Sequence, residues 1–181
     1  IDTRKATVGM EALEAGASLI NDVSGFTFDA ALAPLAAQAG VPVCVMHAQG
    51  DPATMQENPV YENVLLDVYD FLAAQVDRLE ATGVLRDRIV IDPGIGFGKT
   101  QEHNLTLLRN LSLFHGLGCP ILLGVSRKGF IGKIGQAPAP DARAPGSIAV
   151  GLAGLAQGVQ ILRVHDVAET AQAVRLWQAV R

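Results

Sequence analysis

Short, unbroken apolar runs alternate along the chain with longer segments whose apolar residues recur every three or four positions. The runs cover residues 19–23, 41–46, a stretch of "DRIVIDPG" ending at Asp92, 121–125 and 160–164. Such runs do not alternate with polar residues, so they predict strands covered on both faces, as in a parallel sheet. Between them, 5–15 and 29–39 are Ala-rich and predict helices, and 62–82 is a long amphipathic helix stopped by Gly83. Further helices are predicted over 104–114, over the small-residue stretch "GSIAVGLAGLAQG" and over 167–180. The last opens with Asp166 and Glu169 at capping-box spacing, which predicts Asp166 as its cap. Repeated strand–helix alternation means a parallel α/β fold, either an open doubly wound sheet or a barrel.

The polar residues choose between these. Asp2, Asn21 with Asp22, Met46-His47, Asp92, Ser126-Arg127-Lys128 and Arg163 with His165 all stand at the C-terminal ends of apolar runs. An open sheet gathers its site at one switch point, whereas a (β/α)₈ barrel collects it from all of its strand ends. The pattern therefore predicts a barrel, with 1–181 as a single domain. Each residue also has a simpler reading: Asp22 and Ser126 as caps of the helices that follow, His47 as a structural histidine.

Other features narrow the function. The chain has 181 residues, 49% of them hydrophobic, with a net charge of -4 and 5% aromatics. Without a basic tract or an aromatic platform, a nucleic-acid partner is not expected. No apolar run is long enough to span a membrane. Cys44 and Cys119 sit in or beside apolar stretches and read as buried thiols in a reducing compartment, so a cytoplasmic location is expected. The opening "IDTRK" reads as the tail of a strand, so the chain is expected to be a fragment.

The stretch "DPGIGFGKT" looks like a phosphate loop but fails both patterns. A P-loop ending at Gly98 would need glycine where Pro93 stands. The dinucleotide pattern would need its third glycine at Lys99 or Gln101. The working residue is then Asp92, with the glycines turning the backbone over a pocket and Phe97 offering it an apolar face. Otherwise the stretch is a plain turn with Lys99 facing solvent. Asp2, Asp92 and Asn21 are acceptors suited to a flat heterocycle rich in N–H groups. Lys128 offers a donor to a ring carbonyl. Arg163 can stack on the ring, and with His165, two positions on and on the same strand face, can clamp a phosphate leaving group.

In this order, "IDTRK", "INDVSG", "VCVMHAQGDPATMQ", "IDPGIGFGK", "GVSRKGFIG" and "ILRVHD" resemble the dihydropteroate synthase family over the whole chain. The resemblance implies a (β/α)₈ TIM barrel of pterin-binding type, usually a homodimer, acting in folate biosynthesis as a sulfonamide target. The implied reaction condenses 6-hydroxymethyl-7,8-dihydropterin diphosphate with p-aminobenzoate to give 7,8-dihydropteroate and diphosphate. Asp2, Asn21 and Asp92 would hold the pterin edge, and Val23, Met46, Phe97 and Gly124 would line its pocket. Lys128 would touch the pterin and help form the p-aminobenzoate site. Arg163 would stack on the pterin and, with His165, bind the diphosphate, so that Lys128, Arg163 and His165 are the catalytic set. Mg²⁺ is implied through the diphosphate oxygens. No residue of this chain is assigned to it, since the family's Mg²⁺-contacting Asn would lie upstream of Ile1. The same comparison implies a partial barrel, from the end of the third strand through the eighth helix, that is inactive alone. It also places Gly129 near the p-aminobenzoate carboxylate, where many members carry a hydroxyl. Two other readings stay open: a pterin-dependent methyltransferase on the same barrel, and a non-catalytic pterin-binding homologue.

Overall fold

A computed structural model describes residues 1–50, 55 and 57–181. The centre of the long loop after the second apolar run, with part of the "DPATMQ" motif, lies outside the described residues. Helices and strands alternate as expected: α1 Ala6–Glu14, β1 Ile20–Asp22, α2 Leu32–Ala39, β2 Val43–Met46, α3 Val64–Ala81, β3 Ile89–Asp92, α4 Gln101–Arg109, β4 Leu122–Leu123, α5 Gly129–Ile134, α6 Ala144–Ala156, β5 Ile161–Leu162 and α7 Val167–Ala179. All ladders are parallel and follow chain order: β1 with β2, β2 with β3, and β4 with β5. Single bridges join Asp2 to Asn21 and Ile91 to Ile121. These bridges extend β1–β5 into one curved arc in sequence order, with no strand reversal. That is part of a (β/α)₈ barrel and not a doubly wound sheet.

Strand alternation sorts the side chains between the two faces of the arc. Ile20, Val43, Val45, Ile89, Ile91 and Leu123 point outward into the main core beneath the helices. Cys44, Val90 and Leu122 form a separate small layer inside the arc. Asp92 follows Val90 by two, so it stands directly above this inner layer. The register sets Asn21 opposite Cys44 and Met46 opposite Asp92, and Asn21, Met46 and Asp92 share one face and one mouth. The periodicity that builds the core thus also aims the polar strand ends.

α3 shows how the outer layer is secured. Val64, Val68, Leu72, Val76 and Leu79 repeat at helical spacing and are all buried. Each contributes about 1.5–3 kcal/mol relative to exposure. Asn63 caps the helix, accepting from the backbone N–H groups of Leu65 and Leu66.

Several local expectations are corrected. The helix expected over 104–114 starts earlier, at Gln101, and gives way after Arg109 to a 3₁₀ segment, Leu111–Leu117. Its true start is set by Thr100 and His103, which form a reciprocal cap. α5 and the 3₁₀ turn Pro140–Arg143 have no counterpart among the expected elements. Asp166 makes no side-chain cap for α7; its carboxylate pairs with Arg127 instead. Cys44 and Cys119 are buried free thiols. Among the described residues no helix is long and apolar enough to cross a membrane.

Candidate active site

The C-terminal strand ends enclose a pocket of about 160 Å³. Asn21, Val23, Met46, Asp92, Phe97, Gly124, Lys128, Arg163 and His165 line it, together with Ile95 and Ser126. Of the residues expected at the site, Asp2 alone is absent from this lining. It stands at the rim, where one of its oxygens accepts from Asn21 Nδ2 at 3.1 Å and from Arg163 Nη2 at 3.0 Å. Asp2 and Arg163 come from opposite ends of the arc, so this contact crosses the mouth. Both are well exposed, so the ion pair itself adds little stability.

Asp92 is the buried anion of the pocket. Its Oδ1 accepts from Gly94 N–H at 2.7 Å. Burial pushes its pKa up to about 6, against the opposing pull of that hydrogen bond and of Lys128, Lys99 and Arg163. The turn after it requires glycine. A Cβ on Gly94, at φ 67°, would lie 1.8 Å from the His47 carbonyl oxygen, and one on Gly98, at φ 62°, would lie 2.3 Å from that of Gln49. Phe97 is thereby turned toward the pocket, and the Lys128 ammonium sits 4.1 Å from its ring centre. Burial lowers the Lys128 pKa, while Asp92 opposes the shift.

Lys99 is not solvent-facing, which overturns the plain-turn reading. It is 3% exposed. Its Nζ lies 2.8 Å from His47 Nδ1 and donates to the carbonyl oxygens of Phe97 at 3.0 Å and His47 at 3.4 Å. Three acceptors match the three protons of an ammonium. Burial draws Lys99 down to about 7 and His47 down to about 3, so His47 stays neutral and accepts. This internal strut ties the Asp92 turn to the end of β2. Asn104 braces the same turn from α4, accepting from Gly96 N–H at 2.7 Å.

The other polar strand ends divide. Asp22 faces away from the pocket and organises its own turn, accepting from the Ser24 and Phe26 N–H groups rather than capping a helix. Ser126 caps no helix either: its Oγ accepts from the His165 backbone N–H at 3.1 Å and lies 2.9 Å from His165 Nδ1. Sequence reasoning missed the strut of Lys99 and the role of Ser126, because each works through a partner distant in the chain, and it missed Asn104, whose partners in the turn are only four to eight positions away. The one local clue was the Lys inside a glycine-rich, otherwise apolar turn.

A second cavity, about 250 Å³, adjoins the first across Lys128 and is lined also by Lys99, Asn104, Gly129 and Lys133. For a metal, the donors do not fit. Among the described residues no three His, Cys, Asp or Glu side chains cluster closely enough to hold an ion.

The profile of pterin binding enzymes matches residues 1–165. The chain belongs to the pterin binding enzyme family. It is 45% identical over 180 residues to the dihydropteroate synthase of Synechocystis sp., covering 99% of this chain and 62% of that one. Dihydropteroate synthase from Thermus thermophilus in complex with 4-aminobenzoate superimposes with a TM-score of 0.95 at 45% identity, covering 99% of this chain and 69% of that one. The same enzyme in complex with 6HMPPP gives 0.94 at 46% identity, over 98% and 70%. That from Yersinia pestis with a sulfonamide drug gives 0.94 at 41% identity, over 99% and 65%. The chain thus spans less than two-thirds of the length of its first curated relative.

Proposed function

We propose that this chain carries the pterin and diphosphate sites of a dihydropteroate synthase. The observation that carries the reading is one pocket holding a buried carboxylate, Asp92, together with the cations Lys128 and Arg163 and the imidazole of His165. A flat, N–H-rich heterocycle with an anionic leaving group matches that pairing of charges. The relatives' complexes with 6HMPPP and 4-aminobenzoate fit the same substrates.

In this reading Asp92 accepts the ring N–H and amino group of 6-hydroxymethyl-7,8-dihydropterin diphosphate, and Asn21 and Asp2 complete that edge. Met46, Val23, Phe97 and Gly124 exclude water from its faces. Lys128 donates to the ring carbonyl, and Arg163 stacks on the ring while its guanidinium and His165 hold the diphosphate. The methylene C–O bond to the diphosphate breaks, its electron pair leaving with the oxygen. The p-aminobenzoate nitrogen forms the new C–N bond and loses one proton. Charge grows on the departing diphosphate, so Arg163 and His165 bind the transition state more tightly than the ground state. p-Aminobenzoate enters by the cavity beyond Lys128, its carboxylate near Lys133 and the Gly129 N–H, and a sulfonamide would take the same place. Mg²⁺ comes as a partner of the diphosphate oxygens and not as a resident of this chain's side chains. The full-length protein is a cytoplasmic homodimer in this reading. The apolar groove of Leu105, Leu108, Ile131, Ile134 and Val150 between α4, α5 and α6 is the surface it would bury.

The test is diphosphate release by the full-length protein supplied with the dihydropterin diphosphate. Release that requires p-aminobenzoate and collapses in Lys128→Ala and Arg163→Ala supports the synthase. Tight pterin binding without release would instead make the chain a non-catalytic binder.

A further inference from the structure

The backbone ladder between β4 and β5 stops at the bond from Arg163 N–H to the Leu123 carbonyl. Beyond it, contacts that involve side chains join the two strand-end loops. Ser126 meets His165, and directly beside it the Arg127 guanidinium makes a two-point pairing with the Asp166 carboxylate, with Nε to Oδ2 at 3.1 Å. Arg127 is a non-glycine residue in the left-handed region, at φ 58°. That conformation persists only where the surroundings hold it. Here they do: its N–H donates to Ser147 Oγ on α6 at 2.8 Å, and its carbonyl accepts from Arg143 Nη1 at 2.9 Å. Ser147 Oγ in turn donates to the Arg143 carbonyl at 2.7 Å, which closes the bracket.

The backbone N–H and carbonyl of Arg127 and the Nε and Nη2 of its guanidinium are therefore engaged by Ser147 on α6, by Arg143 just before it and by Asp166 just before α7. Its two neighbours, Ser126 and Lys128, are the ones that line the pocket. We propose that Arg127 is a positioning residue for the diphosphate end of the site: clamped by Asp166, Ser147 and Arg143, it holds Ser126 against His165 and sets that pair relative to Lys128. This rests on the synthase reading for its catalytic consequence, but not for its geometric one. Neither Arg127 nor Asp166 touches the pocket, so neither is a catalytic residue. The guanidinium–carboxylate fork suits the task because two parallel bonds fix orientation as well as distance.

The test uses the full-length protein with Asp166→Asn, which is close in shape, and Arg127→Gly, which suits the positive φ and removes the fork. Arg127→Lys keeps the charge without the fork. Four readouts are taken: melting temperature, affinity for inorganic diphosphate, affinity for 6-hydroxymethylpterin, and kcat. The expected result is a fall of about 10-fold in diphosphate affinity and in kcat in the first two variants, the size of one lost charged contact. Pterin affinity should stay within about 3-fold, because Asp92, Asn21 and Met46 sit on other strands, and Arg127→Lys should recover only part of the loss. The ring ¹⁵N resonances of His165 should shift in Asp166→Asn, since its contact to Ser126 loosens. Folded variants with diphosphate affinity within about 2-fold of the unmodified protein, or with pterin and diphosphate affinities falling together, would overturn the proposal. The unmodified protein separates the two readings: if it binds diphosphate but shows no turnover, the synthase reading fails while the affinities still decide the role of Arg127.

Discussion

On the β1–β3 side of the pocket, strands of three and four residues are almost wholly buried, and their order comes from backbone ladders and a packed outer core. On the β4–β5 side the strands are two residues long, Ile161 is 36% exposed, and ordered side-chain pairs continue where the ladder stops. The polar groups differ accordingly. In the dry half Asp92, Lys99 and His47 are shifted away from their ordinary titration ranges by burial. In the wet half burial also lowers the Lys128 pKa, but Arg163 projects into solvent, with 63% of its side chain exposed. A dry carboxylate gives strong, selective hydrogen bonds to a neutral heterocycle. A solvated cation attracts an anion and lets it leave. In the proposed reading, this division of labour follows from the packing.

The two halves should differ most in their turns. Gly94→Ala, with its Cβ against the His47 carbonyl, should cost about 4 kcal/mol or more in the dry half. Gly129→Ala, where nothing lies within 4 Å, should change stability by about 0.5 kcal/mol or less in the wet half. Denaturant melts of both variants would show it, and equal losses would erase the contrast.

Next comes Asp92→Asn, which should weaken binding of dihydropterin about 100-fold by removing a charged acceptor. It should also stabilise the free protein near neutral pH. The folded pKa of Asp92 is raised to about 6 from 3.8, so folding favours the protonated acid. Its favourable contribution is full below about pH 4 and is lost as pH rises through about 6, a swing of roughly 3 kcal/mol at most. The Asn variant lacks that swing, so melting curves across this window should diverge from those of the unmodified protein as pH rises. Over the same window dihydropterin should bind the unmodified protein more tightly as Asp92 ionises. A smaller effect is ionic: raising salt from about 0.05 to 0.5 M should weaken diphosphate binding several-fold and leave dihydropterin nearly unaffected. The smallest is Phe97→Leu, which removes the ring under Lys128 and should cost about 0.5–1 kcal/mol in ligand affinity.

How much could be read in advance divides along the same line. Asn21 and Asp92 were legible because a polar residue ending an apolar run must emerge at the strand's mouth, whereas Met46 as a pocket residue came from the resemblance alone. The turn after Asp92 was legible from its run of glycines, though the approach to His47 that requires Gly94 was not. The brackets of the other half were hidden. Arg127 meets Asp166 thirty-nine positions away, and Ser126 meets His165 at the same separation, so no local pattern records them. Local rules even misled, since Asp166 and Ser126 both look like helix caps. The Lys99–His47 strut, fifty-two positions apart, was hidden for the same reason.

In the proposed reading, the two halves bind different parts of one substrate. The most direct test is calorimetric titration of the full-length protein, Asp92→Asn and Arg163→Ala with 6-hydroxymethyl-7,8-dihydropterin and with its diphosphate. Asp92→Asn should weaken both ligands by the same factor, and Arg163→Ala should weaken the diphosphate at least about 10-fold more than the bare pterin, the worth of a charge-assisted contact. Equal losses for the two ligands in Arg163→Ala, or a loss confined to the diphosphate in Asp92→Asn, would contradict the account.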